Sequence, residues 1–322
     1  MKSEDSESVV QNTNALIDDR PFIDSDGMIE LDDYWADRFK TTHISTAELQ
    51  KAVWLNMMFD SERIESNYAS VSLRMLEFLP NIKDALLQYR NITDWQYLTS
   101  LSLLRNLCIA HREIDTELAG YIAQLPKLWE LHLTRLKVSD FEALSRSRNF
   151  KCLILHKIEG LDNSAIQLFD YITQLDIDSI SEDLTDGIGK LRRLRKLRLK
   201  QTPVPSLDFL AELKNLEEFK YEQRTNDDNI STILPQLKKM KSFEYPLRDL
   251  AVLEQCPKIV SISVDGEGCE NLHVLKGRHI ESFMVMNAKS KEDVMKIVDE
   301  AQGYCEQALS YGYNMPWAKK RA

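Results

Sequence analysis

Apolar residues recur between positions 79 and 287 in one short phrase: apolar, two variable residues, apolar, one variable residue, apolar. Leu128, Leu131 and Leu133 state it in LWELHL, and Leu194, Leu197 and Leu199 repeat it in LRKLRL. Ten copies begin at Ile82, Leu104, Leu128, Phe150, Ile172, Leu194, Leu216, Met240, Ile259 and Ile280, in steps of 22, 24, 22, 22, 22, 22, 24, 19 and 21. A fixed period in the twenties marks a solenoid. Within each copy the apolar residues point one way and the variable ones the other, as alternation along a strand requires. A further apolar residue often lies three positions earlier (Leu79, Leu101, Leu125, Leu191, Leu213, Leu237) and is expected to close the core from the return segment. One repeat cannot bury its own leucine face, but stacked repeats can. Ten strands at ordinary spacing would form a parallel sheet roughly 45 Å across.

The flanks break the period. Residues 1–27 are polar and acidic and read as a disordered N-terminus. In 28–78, STAELQKAVWLNMMF opens on a capping box, Ser45 with Glu48. Leu49, Val53, Trp54, Met57 and Met58 then share a helical face, so this region is expected to be an N-terminal helical cap. At its end VSL reads as a degenerate first strand and RMLEF as the arc leading into Leu79. Residues 288–322 are expected to form a C-terminal helical cap from Ser290 onward, followed by a basic tail. Between them SVDGEGCENLHVLKG, 263–277, departs most from the period and reads as a shortened repeat or a binding loop.

The repeated phrase resembles that of leucine-rich repeat proteins, and LKQTPVPSLDFLAELKNLEEF (199–219) is similar to their short, twenty-two-residue cytosolic subclass. The resemblance implies an α/β solenoid: a horseshoe with a parallel concave sheet. One departure stands out. The family often places Asn three residues after the last apolar position; here those positions hold Arg112, Leu136, Ile158, Ile180, Thr202, Arg224 and Arg248.

Composition narrows the function. The net charge of -10 argues against a general nucleic-acid binder and against an anionic membrane surface. No 18-residue apolar run exists, and the first residues lack the basic and apolar regions of a signal peptide, so a cytoplasmic location is expected. Five scattered cysteines with no close CxxC pair suggest neither a zinc site nor a disulfide framework. Nucleotide-binding loops, nucleophile elbows and HExxH helices are all missing from the sequence. Cys108 and His132 occupy matching positions in adjacent copies, yet an open strand surface offers little to exclude water or tune a pKa. No catalytic residue, cofactor or metal is therefore expected.

The displayed positions carry the information. Between the last two apolar residues the column runs Leu86, Cys108, His132, Ile154, Asp176, Arg198, Lys220, Glu244, Ser263 and Met284. The flanking columns add His156, Asp178, Lys196, Lys200 and Glu222, and Trp129 lies near the rim. Opposite charges on adjacent strands can pair across the sheet at roughly 0.2–1 kcal/mol each, or they can meet a patterned partner. In the basic run KLRRLRKLRLK the leucines fill the core; Arg192, Arg193 and Arg195 are expected to leave by the return side, and Lys196, Arg198 and Lys200 by the concave side. Three cations are a weak footprint for nucleic acid.

The sequence therefore reads as a non-enzymatic module binding one protein, a toxin or another enzyme, through Trp129, His132, His156, Asp176, Asp178, Lys196, Arg198, Lys200, Lys220, Glu222 and Glu244. An inhibitor or toxin-neutralising immunity protein is the leading form by analogy of fold. A scaffold or adaptor in a signalling or nucleic-acid-associated assembly is the alternative. A membrane, a small-molecule ligand and nucleic acid are disfavoured as direct partners.

Overall fold

In the computed structural model the described residues are 28–30, 49–57, 71–88, 92–110, 113–223, 225, 229–304 and 311–313. The chain forms two compact units, 1–160 and 161–322. Both consist of leucine-rich-repeat coils, each a parallel strand followed by a short return segment.

In the first unit the main sheet holds β1 (Met28–Glu30), β2 (Trp54–Met57), β4 (Asp84–Leu87), β6 (Asn106–Ala110), β7 (Glu130–Lys137) and β8 (Cys152–Glu159), in that order. β3 (Val71–Ser72) and β5 (Ile92–Thr93) make a separate parallel pair. Register follows the phrase: Leu55, Ala85, Leu107, Leu131 and Leu153 lie in one row, and Met57, Leu87, Ile109, Leu133 and Leu155 in the next. All ten are buried, together with the closing residues Leu79, Leu101 and Leu125. The 24-residue step from Leu104 to Leu128 gives its extra length to the helix Thr116–Ala123, which Asp115 caps by accepting from the Leu118 N–H at 2.8 Å.

The second unit repeats the scheme with β9 (Gln174–Asp178), β10 (Lys196–Lys200), β11 (Glu218–Tyr221), β12 (Ser242–Leu247), β13 (Ser261–Asp265), β14 (Ser282–Met286) and β15 (Tyr311–Tyr313). Leu175, Leu197, Phe219, Phe243, Ile262 and Phe283 form its buried row. The Phe219 and Phe243 rings lie 5.4 Å apart. β12 shifts register between Phe243 and Leu247: Phe243 pairs with Ile262 and Leu247 with Val264, so β12 uses two more residues than β13 over this stretch. The glycine-bearing stretch 263–277 is a shortened repeat: strand β13, then the 3-10 turn Leu272–Leu275. Gly266 is needed there, because a Cβ would sit 2.5 Å from that of Ala288.

Two expectations are corrected. Trp54–Met57 is a strand, paired with Asp84–Leu87 on one side and Met28–Glu30 on the other, so part of the supposed helical cap continues the sheet. WLNM carries a period of two as well as a helical one, and pairing along the whole backbone of β4 decides between them. At the other end the helix Lys291–Tyr304 forms, with the Asp293 N–H donating to Ser290 Oγ at 3.0 Å, but Tyr311–Tyr313 adds a further strand on β14. Residues 1–27, Ser45, Glu48, Met58, Cys305 and the basic tail from 314 lie outside the described residues.

The missing Asn of the family pattern has a physical replacement. Leu136 and Ile158 in the first unit, and Ile180 and Thr202 in the second, are buried at those positions. Asparagines act instead at the opposite end of the strand, immediately before the phrase. In the first unit Asn81 Nδ2 donates to the Gln50 carbonyl at 2.7 Å and Asn149 Nδ2 to that of Leu125 at 3.1 Å. In the second unit Asn215 Nδ2 donates to the Arg192 carbonyl at 2.8 Å. Each bond joins one coil to the coil before it.

Candidate functional site

In the second unit, strand pairing places Asp176, Arg198, Lys220 and Glu244 side by side on four successive strands. Their buried neighbours on either side force these side chains to the open face, since successive residues of a strand alternate. There they pair with one another. Arg198 Nη1 is 3.7 Å from Asp176 Oδ2, and Lys220 Nζ is 2.6 Å from Glu244 Oε2. Flanking them, Lys200 Nζ is 3.2 Å from Asp178 Oδ2 and Lys196 Nζ is 2.8 Å from Glu218 Oε1. Glu222, half-buried, follows β11. Asp176, Asp178, Lys196, Arg198, Lys200, Lys220 and Glu244 of the expected residues thus form a lattice of cross-strand pairs, which Glu218 joins, with about half of the Lys196, Arg198 and Glu218 side chains still exposed.

The leading edge of this unit adds a cluster that the sequence reading missed. Glu217 takes Arg195 on one oxygen, Nη2 to Oε1 at 2.5 Å, and Lys241 on the other, Nζ to Oε2 at 3.0 Å. Hydrogen bonds from Lys241 and Arg195 hold the Glu217 carboxyl below its ordinary pKa. Arg195 therefore belongs to the start of the strand and not to the return side as expected, whereas Arg192 does reach the return segment, 3.5 Å from Glu212. The signal was present in the residue just after the first apolar position of each copy, which reads Arg195, Glu217, Lys241.

In the first unit Cys108, His132 and Ile154 share a row, and Thr134 pairs with His156. His132 Nε2 lies 2.9 Å from Thr134 Oγ1. Burial lowers the His132 pKa, against the pull of Glu130 and with the push of His156. Burial, with the nearby Glu130 charge, pushes the Cys108 thiol up to about 11. At neutral pH that sulfur stays protonated, so this Cys/His pair holds no ready nucleophile.

Trp129 and Trp54 are the exposed large apolar side chains among the described residues, at 45% and 41%. Trp129 stands at the leading edge of β7, as expected from its place in the repeat. Trp54, expected on a helix, starts β2 beside Asp84. The sequence-derived site thus falls into two groups, Trp129, His132 and His156 on the first unit and the charged set on the second.

A cleft of about 410 Å³ beside the end of β12 is lined by Ile230, Pro246, Arg248, Val252 and Glu254 among others. No helix among the described residues is long and apolar enough to cross a membrane.

No protein-family profile matches this chain, and no curated protein matches it. Solved structures do. TLR13, in a TLR13–ssRNA13 complex, is similar over 77% of this chain and 38% of its own, with 16% identity and a TM-score of 0.53. An internalin (inlF) of Listeria monocytogenes is similar over 86% of this chain and 90% of its own, with 16% identity and a TM-score of 0.44. The plant peptide hormone receptor RGFR1, in complex with RGF2, is similar over 76% and 46%, with 13% identity and a TM-score of 0.41. At such identities the likeness concerns the fold.

Proposed function

We propose that this chain of leucine-rich-repeat coils is a non-catalytic module that recognises another protein through the displayed faces of its strands. One observation carries the reading: on the second unit, charges of both signs are held in a fixed lattice by cross-strand pairing while remaining partly exposed. Such pairs contribute little to stability, about 0.2–1 kcal/mol each. A preorganised pattern of alternating sign gives much more to discrimination between partners and to association rate. It suits a protein surface better than a polyanion, because Asp176, Asp178, Glu218 and Glu244 would repel a phosphate track.

In its finer form the reading makes the module an inhibitor, an immunity protein that covers the active surface of a toxin or another enzyme. The thiols of Cys108, Cys152, Cys256 and Cys269, none of them in a disulfide, support placing it in a reducing, cytoplasmic compartment.

The test uses the full chain as bait, identifies the partner, and titrates the purified complex. A 1:1 complex that silences the partner's activity is expected, and Arg198→Glu with Lys220→Glu should weaken it at least 100-fold. Unchanged affinity in that variant, or recovery of nucleic acid alone, would contradict the reading.

A further inference from the structure

Three cations on the open face of β10 are too few to hold a polyanion, but stacking gathers many more at one edge of the second unit. There each return segment turns into its strand, and matching turns align the side chains in rows. The N–H groups of Arg192, Lys214 and Lys238 each donate two residues back, to the carbonyls of Lys190, Glu212 and Gln236, at 2.9, 3.1 and 3.1 Å. One residue further on stand Arg193, Asn215, Lys239 and, on the next coil, Lys258. The third row is Arg195, Glu217 and Lys241, each N–H donating to the coil before at 2.8 Å. With Lys190, the segments 190–195, 214–217, 238–241 and 257–260 carry nine cations against one carboxylate, Glu217. All nine cations are exposed.

Little of this charge is neutralised from within. Arg192 meets Glu212, and Arg195 and Lys241 share Glu217. Lys214 Nζ reaches Gln236 Oε1 at 3.1 Å and Lys239 Nζ reaches Asn215 Oδ1 at 2.7 Å, neutral oxygens that leave both charges in place. Lys190, Arg193, Lys238 and Lys258 make no ion pair among the described residues. Widening the count to the last turn of each return segment adds Asp186, Glu212 and Glu254 and no cation, which leaves nine against four. The carboxylates bordering the rows, Glu212, Glu217 and Glu218, each already hold a cation. At ordinary strand spacing the four coils span about 15 Å.

We propose that this edge binds the phosphate backbone of double-stranded nucleic acid without reading its sequence, a second surface beyond the protein-binding face. Composition selects the occupant. Protein interfaces are depleted in lysine and rely on aromatic or apolar anchors. Here six of the nine cations are lysines. The exposed large apolar side chains among the described residues, Trp54 and Trp129, both belong to the first unit. The same lack of an aromatic platform disfavours a single strand, whose bases would need stacking partners. An anionic membrane fits less well too, since interfacial binding draws on apolar side chains set beside the basic ones. A duplex keeps its bases stacked inside and shows the protein only charge, about one per 1.7 Å of its axis.

The experiment titrates labelled DNA and RNA duplexes of about 20 base pairs with the full chain over a range of salt, by fluorescence anisotropy. Micromolar binding is expected at about 50 mM salt, with log affinity falling against log salt at a slope of about −3 to −4, as for roughly four neutralised phosphates. The tighter of the two duplexes identifies the source of the backbone. A single strand of the same length should bind no more tightly, and a polyglutamate peptide of equal charge at least tenfold more weakly. Arg193→Glu with Lys238→Glu should lower duplex affinity at least tenfold while the melting temperature holds, both side chains being exposed. Swapping the charges of the open-face lattice, Asp176→Arg with Arg198→Asp and Lys220→Glu with Glu244→Lys, should leave duplex affinity within threefold. No duplex binding, a salt slope near zero, or unchanged affinity in the edge variant would overturn the proposal. Tighter binding of the single strand, the peptide or phosphatidylserine vesicles would do the same. Because no protein partner takes part, these failures leave the protein-binding reading standing.

Discussion

Lys220 and Glu244 face each other on neighbouring parallel strands, Nζ 2.6 Å from Oε2, with 27% and 24% of their side chains exposed. The contact is the most covered of the four pairs in the displayed lattice and closes its outer end. A double-mutant cycle with Lys220→Met and Glu244→Gln should give a coupling of about 0.5–1 kcal/mol, falling with added salt. A coupling indistinguishable from zero in low salt would mean the pair does not hold the lattice in place.

A left-handed residue recurs at a regular interval, inside β7 and β8 and directly after β9 and β10. Arg135, Lys157, Ser179 and Gln201 follow one another at 22 residues, with φ of 52°, 52°, 59° and 47°. Side chains with a Cβ resist this region, branched ones most. Lys157→Val should therefore cost about 1–2 kcal/mol in denaturant unfolding, whereas Lys157→Gly should cost nothing or gain a few tenths, the relief of strain offsetting glycine's extra freedom when unfolded. Equal effects of Val and Gly would contradict the turn geometry.

The asparagines before the phrase bind coil to coil. Asn149→Ala removes a part-buried donor to the Leu125 carbonyl and should destabilise by about 1–2 kcal/mol. Asn149→Asp should do at least as badly, since a carboxylate faces that carbonyl with no proton to give. Restoring asparagine at the family's own position, as in Leu136→Asn, should not compensate, because Leu136 is buried beside Ile158 of the neighbouring coil. Recovery of stability in such a double variant, by thermal melt, would argue against this replacement of the family ladder.

His132 gives the protein a pH dependence of definite sign. Its folded pKa lies below the ordinary 6.5, chiefly through burial. The unfolded chain therefore takes up a proton at a pH where the folded one still holds a neutral ring. The associated stability is complete above pH 6.5 and is lost as pH falls from there through the lowered folded pKa. Between pH 7.5 and 5.5 the wild type should lose more stability than His132→Gln, measured by urea unfolding. Parallel slopes for the two proteins would exclude this role.

Much of this was legible from residue order. The spacing of the leucines set the buried rows, and with them the open face of Asp176, Arg198, Lys220 and Glu244. The closing leucines were also readable; Val71–Ser72, expected as a degenerate first strand of the repeats, is a strand but pairs with Ile92–Thr93 outside the main sheet. Trp54–Met57 was not, because four residues with both periods cannot reveal that β1 and β4 offer a backbone to pair with. The Glu217 clamp was missed because the first variable residue of each copy was assigned by its neighbours along the chain, although the partner sits one repeat away. Likewise, the Asn ladder was sought at the family's position, while Asn81, Asn149 and Asn215 work from the other end of the strand.

The central claim is that the second unit's charge pattern is read by a protein. Inverting it while keeping every internal pair separates display from stability: Asp176→Arg with Arg198→Asp, and Lys220→Glu with Glu244→Lys, in one chain. Titration calorimetry of this variant against the partner captured by the wild type decides the matter. Affinity should fall at least 100-fold while the unfolding midpoint stays near that of the wild type; undiminished affinity in the correctly folded variant would show that the pattern serves only to hold the strands together.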